Sequence, residues 1–141
     1  MAQTDSLPLV LLAEDSEPDA QLTSVVLKRS GISHRLDIVR DGEECLSYLQ
    51  SCLKEGRPLP NLVLLDLSMP KLDGRGVLRR IKDDEALRAI PVVVLSTSGA
   101  KPDVDDALAL HANAYVVKPL RLKEFDAALT ATAEFWLGTA E

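Results

Sequence analysis

The stretch Asn61-Leu-Val-Leu-Leu-Asp66-Leu-Ser-Met-Pro70 constrains this chain more than any other. Four consecutive apolar residues run straight into a carboxylate, and a proline closes the turn four positions later. A short apolar run bounded by turn signals reads as a strand buried on both faces, the habit of a parallel sheet. Asp66 then emerges at the carboxyl edge of that sheet, where open α/β folds place their chemistry. A charge in that position is rarely fully buried unless it is paired or binds a metal.

The rest of the chain repeats the pattern. Leu9-Val-Leu-Leu-Ala13 is a second buried-strand run and ends in Glu14-Asp15. Ser16 is placed to cap the next helix, with Pro18 near its first turn and Leu22, Val25 and Val26 on its inner face; Gly31 stops it. Arg35 to Ile38 alternates as an outer strand does. After the Asp41-Gly42 turn, Leu46, Leu49 and Leu53 mark a helix, broken by Gly56, Pro58 and Pro60. Beyond Pro70 the Asp73-Gly74 turn leads to a helix with Val77, Leu78 and Ile81 inward. Ile90 to Leu95 is a further buried strand, ending in Ser96-Thr97-Ser98-Gly99, and Val104, Ala107, Leu108 and His111 mark the helix after it. Tyr115-Val-Val117 is the last strand, followed by Lys118-Pro119 and a helix showing Leu122, Phe125, Leu129, Ala133 and Trp136. Five alternations of strand and helix predict an α/β fold, a doubly wound five-stranded parallel sheet with helices on both faces.

Bulk properties narrow the function. The 141 residues fit one domain, and the net charge of −6 without a long basic cluster argues against nucleic acid or anionic membrane as a direct partner. No apolar run approaches the ~20 residues of a membrane span, and the first residues lack the basic and apolar regions of a signal peptide. Cys45 and Cys52 fall seven apart in a helical segment, roughly 10 Å at 1.5 Å per residue, too far for a disulfide. Reduced cysteines fit a cytoplasmic protein.

The strand ends carry the chemistry: Glu14 and Asp15, Asp66, Ser96 and Thr97, and Lys118. Any one of these could merely cap a helix or face solvent. Three carboxylates on two neighbouring strands, however, repel one another unless a cation joins them. Carboxylates, a backbone carbonyl and waters are the ligand set that Mg²⁺ accepts, with room left for phosphate oxygens. A lysine and a hydroxyl facing the same point would hold further oxygens of a phosphoryl group. The residues therefore describe a phosphate-binding carboxylate site with Asp66 as nucleophile and Lys118 as counter-ion.

In this order, Ala13-Glu-Asp15, Arg40-Asp-Gly-Glu-Glu44, Leu62-Val-Leu-Leu-Asp66-Leu-Ser-Met-Pro70, Leu72-Asp-Gly74, Ile90 to Ser96 and Tyr115-Val-Val-Lys-Pro119 resemble a response-regulator receiver domain of two-component signalling, of flavodoxin-like (βα)5 fold. The resemblance covers nearly the whole chain. It implies that Asp66 accepts phosphoryl from the phosphohistidine of a sensor histidine kinase. It implies Mg²⁺ on Asp15, Asp66 and the Ser68 backbone carbonyl, with Glu14 reaching the ion through water. Lys118 would pair with the acyl phosphate, its bond to Pro119 often being cis in the family. Ser96 matches the switch hydroxyl and Tyr115 the aromatic that turns inward with it. A Glu14-Asp15 pair stands where two aspartates are also common.

The Glu134-Phe-Trp-Leu-Gly-Thr-Ala140 ending and the Arg57-Pro-Leu-Pro-Asn61 loop further resemble the small receivers that serve bacterial phytochromes, which implies a bacteriophytochrome as the kinase. The expected organisation is a flexible segment 1–7, a receiver over 8–137 and a short tail 138–141, with no output domain. Such a protein is a phosphoacceptor switch that assists its own phosphorylation and dephosphorylation, and not a metabolic enzyme. Its output is altered association with a separate effector or a phosphotransfer protein. Phe135 lies away from the inner stripe, so the last helix and tail also present a homodimer surface. A constitutive scaffold is the alternative; a phosphohydrolase of the haloacid-dehalogenase type is disfavoured because Ser68 stands where its second Asp would be.

Overall fold

Each of the five expected strands forms in the computed structural model, which describes residues 7–69, 73–118 and 122–138. The elements are β1 (Leu9–Ala13), α1 (Glu17–Arg29), β2 (Arg35–Val39), α2 (Gly42–Glu55), β3 (Leu62–Asp66), α3 (Gly74–Asp83), β4 (Val92–Ser96), α4 (Lys101–Ala109), β5 (Ala114–Val117) and α5 (Leu122–Leu137). The expected segment 1–7 lies outside the described residues except for Leu7, as do Pro70, Leu72, the Lys118–Pro119 bond and the tail beyond Gly138.

All strands are parallel in the order β2-β1-β3-β4-β5, which puts the β1 and β3 ends side by side at the centre. The alternating side chains of β1 show both faces covered. Val10 and Leu12 join Leu62, Leu64, Val93 and Leu95 in a core closed by α1 and α5, including Val26, Leu27, Phe125 and Leu129. Leu11 and Ala13 join Val63, Leu65, Val92 and Val94 in the opposite core, closed by Leu49, Leu78, Ile81 and Ala107 from α2, α3 and α4. Every β1, β3 and β4 residue is buried, which is why these strands read as unbroken apolar runs.

Among the described residues three helices begin on side-chain caps: Ser16 accepts from Asp19 N, Asp41 from Glu44 N and Asp73 from Gly76 N. Gly56 ends α2 in the left-handed region at φ 68°. Gly74 has a different reason to be glycine. A Cβ there would stand 2.5 Å from the Asp66 carbonyl oxygen and 2.6 Å from the Leu67 Cα, so any side chain would push on the backbone that carries Asp66.

Some helix faces differ from the sequence expectation. Val25, Leu53, Leu108 and Leu122 are exposed, and Ala20, Thr23 and Leu27 complete the inner face of α1 instead. An apolar row three or four residues apart is wider than the strip a short helix can bury, so its flanks reach solvent. His111 is not helical: it sits exposed in the turn after α4 at φ 73°, and Leu110 packs on the core in its place. Cys45 and Cys52 are both free and buried, and burial pushes the Cys45 thiol up to about 12.

Candidate functional site

The strand ends meet in a corner between β1, β3 and β5. Glu14 leaves β1 with its side chain wholly buried, and Asp66 closes β3 almost as deeply, whereas Asp15 is exposed. Oxygens of Glu14, Asp15 and Asp66 all lie within 4.8 Å of one another. Ser68 N donates to Asp66 Oδ1 at 3.3 Å, which orients the carboxylate from the loop that follows it.

Lys118 enters from the end of β5 and is buried to 8% exposure. Its Nζ lies 2.5 Å from Glu14 Oε1, 3.0 Å from Asp19 Oδ2 and 3.4 Å from Asp66 Oδ1. Burial alone would lower the lysine's affinity for its proton. The Glu14, Asp66 and Asp19 carboxylates outweigh that effect and hold it above its ordinary value, so the ammonium stays charged. Glu14 moves the other way than a paired acid usually does. Burial, with Asp66 beside it, overcomes the pull of Lys118 and raises it to about 7. The contact between Glu14 Oε1 and the ammonium is close but poorly aligned, leaving that buried oxygen without a hydrogen bond among the described residues.

Three converging carboxylates and an oxygen without a hydrogen bond fit a hard divalent cation, which takes oxygen ligands and relieves the repulsion between them. The fit concerns the donor set and its charge; a carboxylate cluster of this kind serves Mg²⁺ and Mn²⁺ alike.

The hydroxyl side of the edge is arranged differently. Ser96 is buried at the end of β4, and its Oγ accepts from Ser98 N at 3.1 Å. Tyr115 donates its hydroxyl to the Ser98 carbonyl at 2.7 Å. Ser98 Oγ in turn donates to Asp103, which pairs with Arg75 of α3 at 3.2 Å. Thr97 lies between Ser96 and Ser98 and is exposed. The fold therefore gathers Glu14, Asp15, Asp66 and Lys118 in one corner, while Ser96 and Tyr115 converge on the β4–α4 loop. Sequence reading missed Asp19, Ser98 and Asp103. Asp19 and Lys118 stand ninety-nine positions apart, a contact that no local spacing reveals.

The family model of the response regulator receiver domain matches residues 10–130. The chain belongs to that family: it is a phosphoacceptor response regulator of two-component signalling. Response regulator Rcp1 of Synechocystis sp. (strain ATCC 27184 / PCC 6803 / Kazusa) is 46% identical over 132 residues, 93% of this chain and 90% of that protein. The probable methanogenesis regulatory protein FilR2 of Methanothrix harundinacea (strain 6Ac) is 43% identical over 92% of this chain and 84% of its own length. Among solved structures, the Mn²⁺-bound form of Rcp1 superposes with a TM-score of 0.83 at 44% identity, covering 95% of this chain and 97% of that one. The phosphorylated cyanobacterial phytochrome response regulator RcpA gives 0.85 at 39% identity, covering 96% and 98%. Receivers of this family bind a divalent metal, and the Rcp1 structure holds one.

Proposed function

We propose that Asp66 is the phosphoacceptor and that the donor is the phosphohistidine of a sensor histidine kinase of the bacteriophytochrome class. The observation that carries this reading is the Lys118 ammonium set between Glu14 and Asp66, beside a carboxylate cluster of metal-binding geometry. An Asp66 oxygen attacks phosphorus, the P–O bond forms as the P–N bond breaks, and the freed imidazole nitrogen keeps its electron pair. Asp15, Asp66 and the Ser68 carbonyl would hold Mg²⁺, with Glu14 reaching it through water. When bound, the ion neutralises charge on the phosphoryl oxygens. Lys118 supplies a fixed positive charge to the same oxygens, so the site assists both its own phosphorylation and its dephosphorylation. Ser96, with Thr97 beside it, then turns to the phosphoryl group, and Tyr115 swings inward.

The phytochrome assignment draws on the relatives: RcpA is described as a phytochrome response regulator, and another structure, 39% identical, as acting in red-light signalling. Association is the output. Phe135 is 76% exposed and stacks edge-on against Trp136 at 4.7 Å, an apolar step on α5 that a second copy of this chain would cover. Residues 8–137 act as one cytoplasmic switching unit that passes its state to an effector or a phosphotransfer protein and not directly to DNA or membrane. Among the described residues no helix is long and apolar enough to cross a membrane.

Incubation with acetyl phosphate and Mg²⁺, followed by intact mass, tests the chemistry. A phosphoryl adduct that needs the metal and is lost in Asp66→Asn supports it. No adduct, with the fold intact and a histidine kinase also tried, would leave a constitutive scaffold as the better account. A single sedimenting species of monomer mass at tens of micromolar protein, with and without beryllofluoride, would contradict the dimer.

A further inference from the structure

One carboxylate at the edge has no part in the phosphoacceptor set yet touches its lysine. Asp19 lies in the first turn of α1, three residues after the Ser16 cap, and its Oδ2 accepts from Lys118 Nζ at 3.0 Å. The same nitrogen faces Glu14 at 2.5 Å and Asp66 at 3.4 Å. Among the described residues only the Asp19 contact is a hydrogen bond from the ammonium; Glu14 and Asp66 face it as ion-pair partners. Asp66 is the most distant of the three. Glu14 is wholly buried and cannot trade the lysine for water, while the Asp19 side chain is 42% exposed and can. Asp19 is therefore the partner at which an exchange costs least.

We propose that Asp19 is a positioning residue that draws the Lys118 ammonium away from Asp66 and so restrains how readily the site takes a phosphoryl group. The inference rests on Asp66 being the phosphoacceptor. For the lysine to move onto a phosphoryl oxygen carried by Asp66 it gives up the Asp19 contact, its one hydrogen bond among the described residues. Asparagine keeps the size and an acceptor oxygen at that position but removes the charge that holds the ammonium. The helix start survives the change, since the Ser16 cap bonds the residue's backbone N–H and not its side chain.

The test compares acetyl phosphate labelling rates, with Mg²⁺ at low ionic strength, for the parent chain and Asp19→Asn. The variant is expected to react about three- to fivefold faster, the scale of one partly exposed ion pair. The gap closes in ~1 M salt, where the screening length falls to about 3 Å. A second readout needs no adduct: the ¹⁵Nζ resonance of Lys118, which is observable while its protons are held in ion pairs, shifts in Asp19→Asn. Equal or slower labelling in the variant would overturn the proposal. So would faster labelling with an unmoved Lys118 resonance, which would assign the gain to lost repulsion of the donor. If the parent chain forms no adduct, the phosphoacceptor reading fails and this inference falls with it; an unchanged rate in a labelled pair rejects Asp19 alone.

Discussion

The two sides of the carboxyl edge are held in opposite ways. At the β1–β3 corner, Glu14, Asp66 and Lys118 already face one another across 2.5 and 3.4 Å, buried and ion-paired. At the β4–β5 side, the Ser96 hydroxyl accepts from its own loop and the Tyr115 hydroxyl donates to that same loop. The first corner is organised for chemistry before any ligand arrives, which lowers the reorganisation that charge transfer demands. The second is committed to a resting arrangement it must break. A receiver needs both, because a switch whose hydroxyl already pointed at the acceptor would have no second state to shift toward.

The largest effect belongs to Asp66→Asn. It leaves the hydroxyl side untouched and is expected to abolish acetyl phosphate labelling, read by intact mass. Next is Gly74→Ala, which drives a Cβ against the backbone of Asp66 and Leu67. Overpacking of this kind costs about 1–3 kcal/mol. Urea denaturation should show that loss together with slower labelling; a neutral substitution would mean the loop yields freely.

Glu14 sharpens the acidic corner through pH. Its folded-state affinity for a proton is raised from 4.5 to about 7, so between those values the folded chain binds more protons than the unfolded one. Stability without metal therefore falls as pH rises across that window, by on the order of 1–3 kcal/mol, and Glu14→Gln should flatten the slope. Stability rising through the same window would contradict the assignment. The smallest effect belongs to the hydroxyl side. Tyr115→Phe deletes one half-buried hydrogen bond, worth about 1 kcal/mol, and is expected to loosen the β4–α4 loop while leaving labelling near its parent rate. Loop amide exchange reads the first, intact mass the second.

The sheet was legible because its strands are buried on both faces. Leu62 to Leu65 and Val92 to Leu95 admit no polar residue, and a parallel, doubly covered sheet is the arrangement that demands this. The acidic corner was legible for the same reason, since Glu14 and Asp66 sit at the first polar positions at the ends of β1 and β3. Helix faces were less so. Val25 and Leu108 fall on the right spacing, but how wide a strip is buried depends on the neighbouring helix and not on period. Side-chain contacts that loops and first turns make with distant elements left no trace in spacing, as Asp19 and Lys118 show. Ser98, which links Ser96, Tyr115 and Asp103, looked like one more residue of a turn. Gly74 was read as a turn glycine, whereas what fixes it is the backbone of β3 pressed against it.

The most direct test of the account locates the phosphoryl group. Borohydride reduces an acyl phosphate to the alcohol, so trapping the labelled protein and sequencing its peptides by mass marks the acceptor carboxylate. Homoserine is expected at position 66 and at no other acidic residue. A reduced side chain at position 14, 15 or 19 in place of 66 would contradict it.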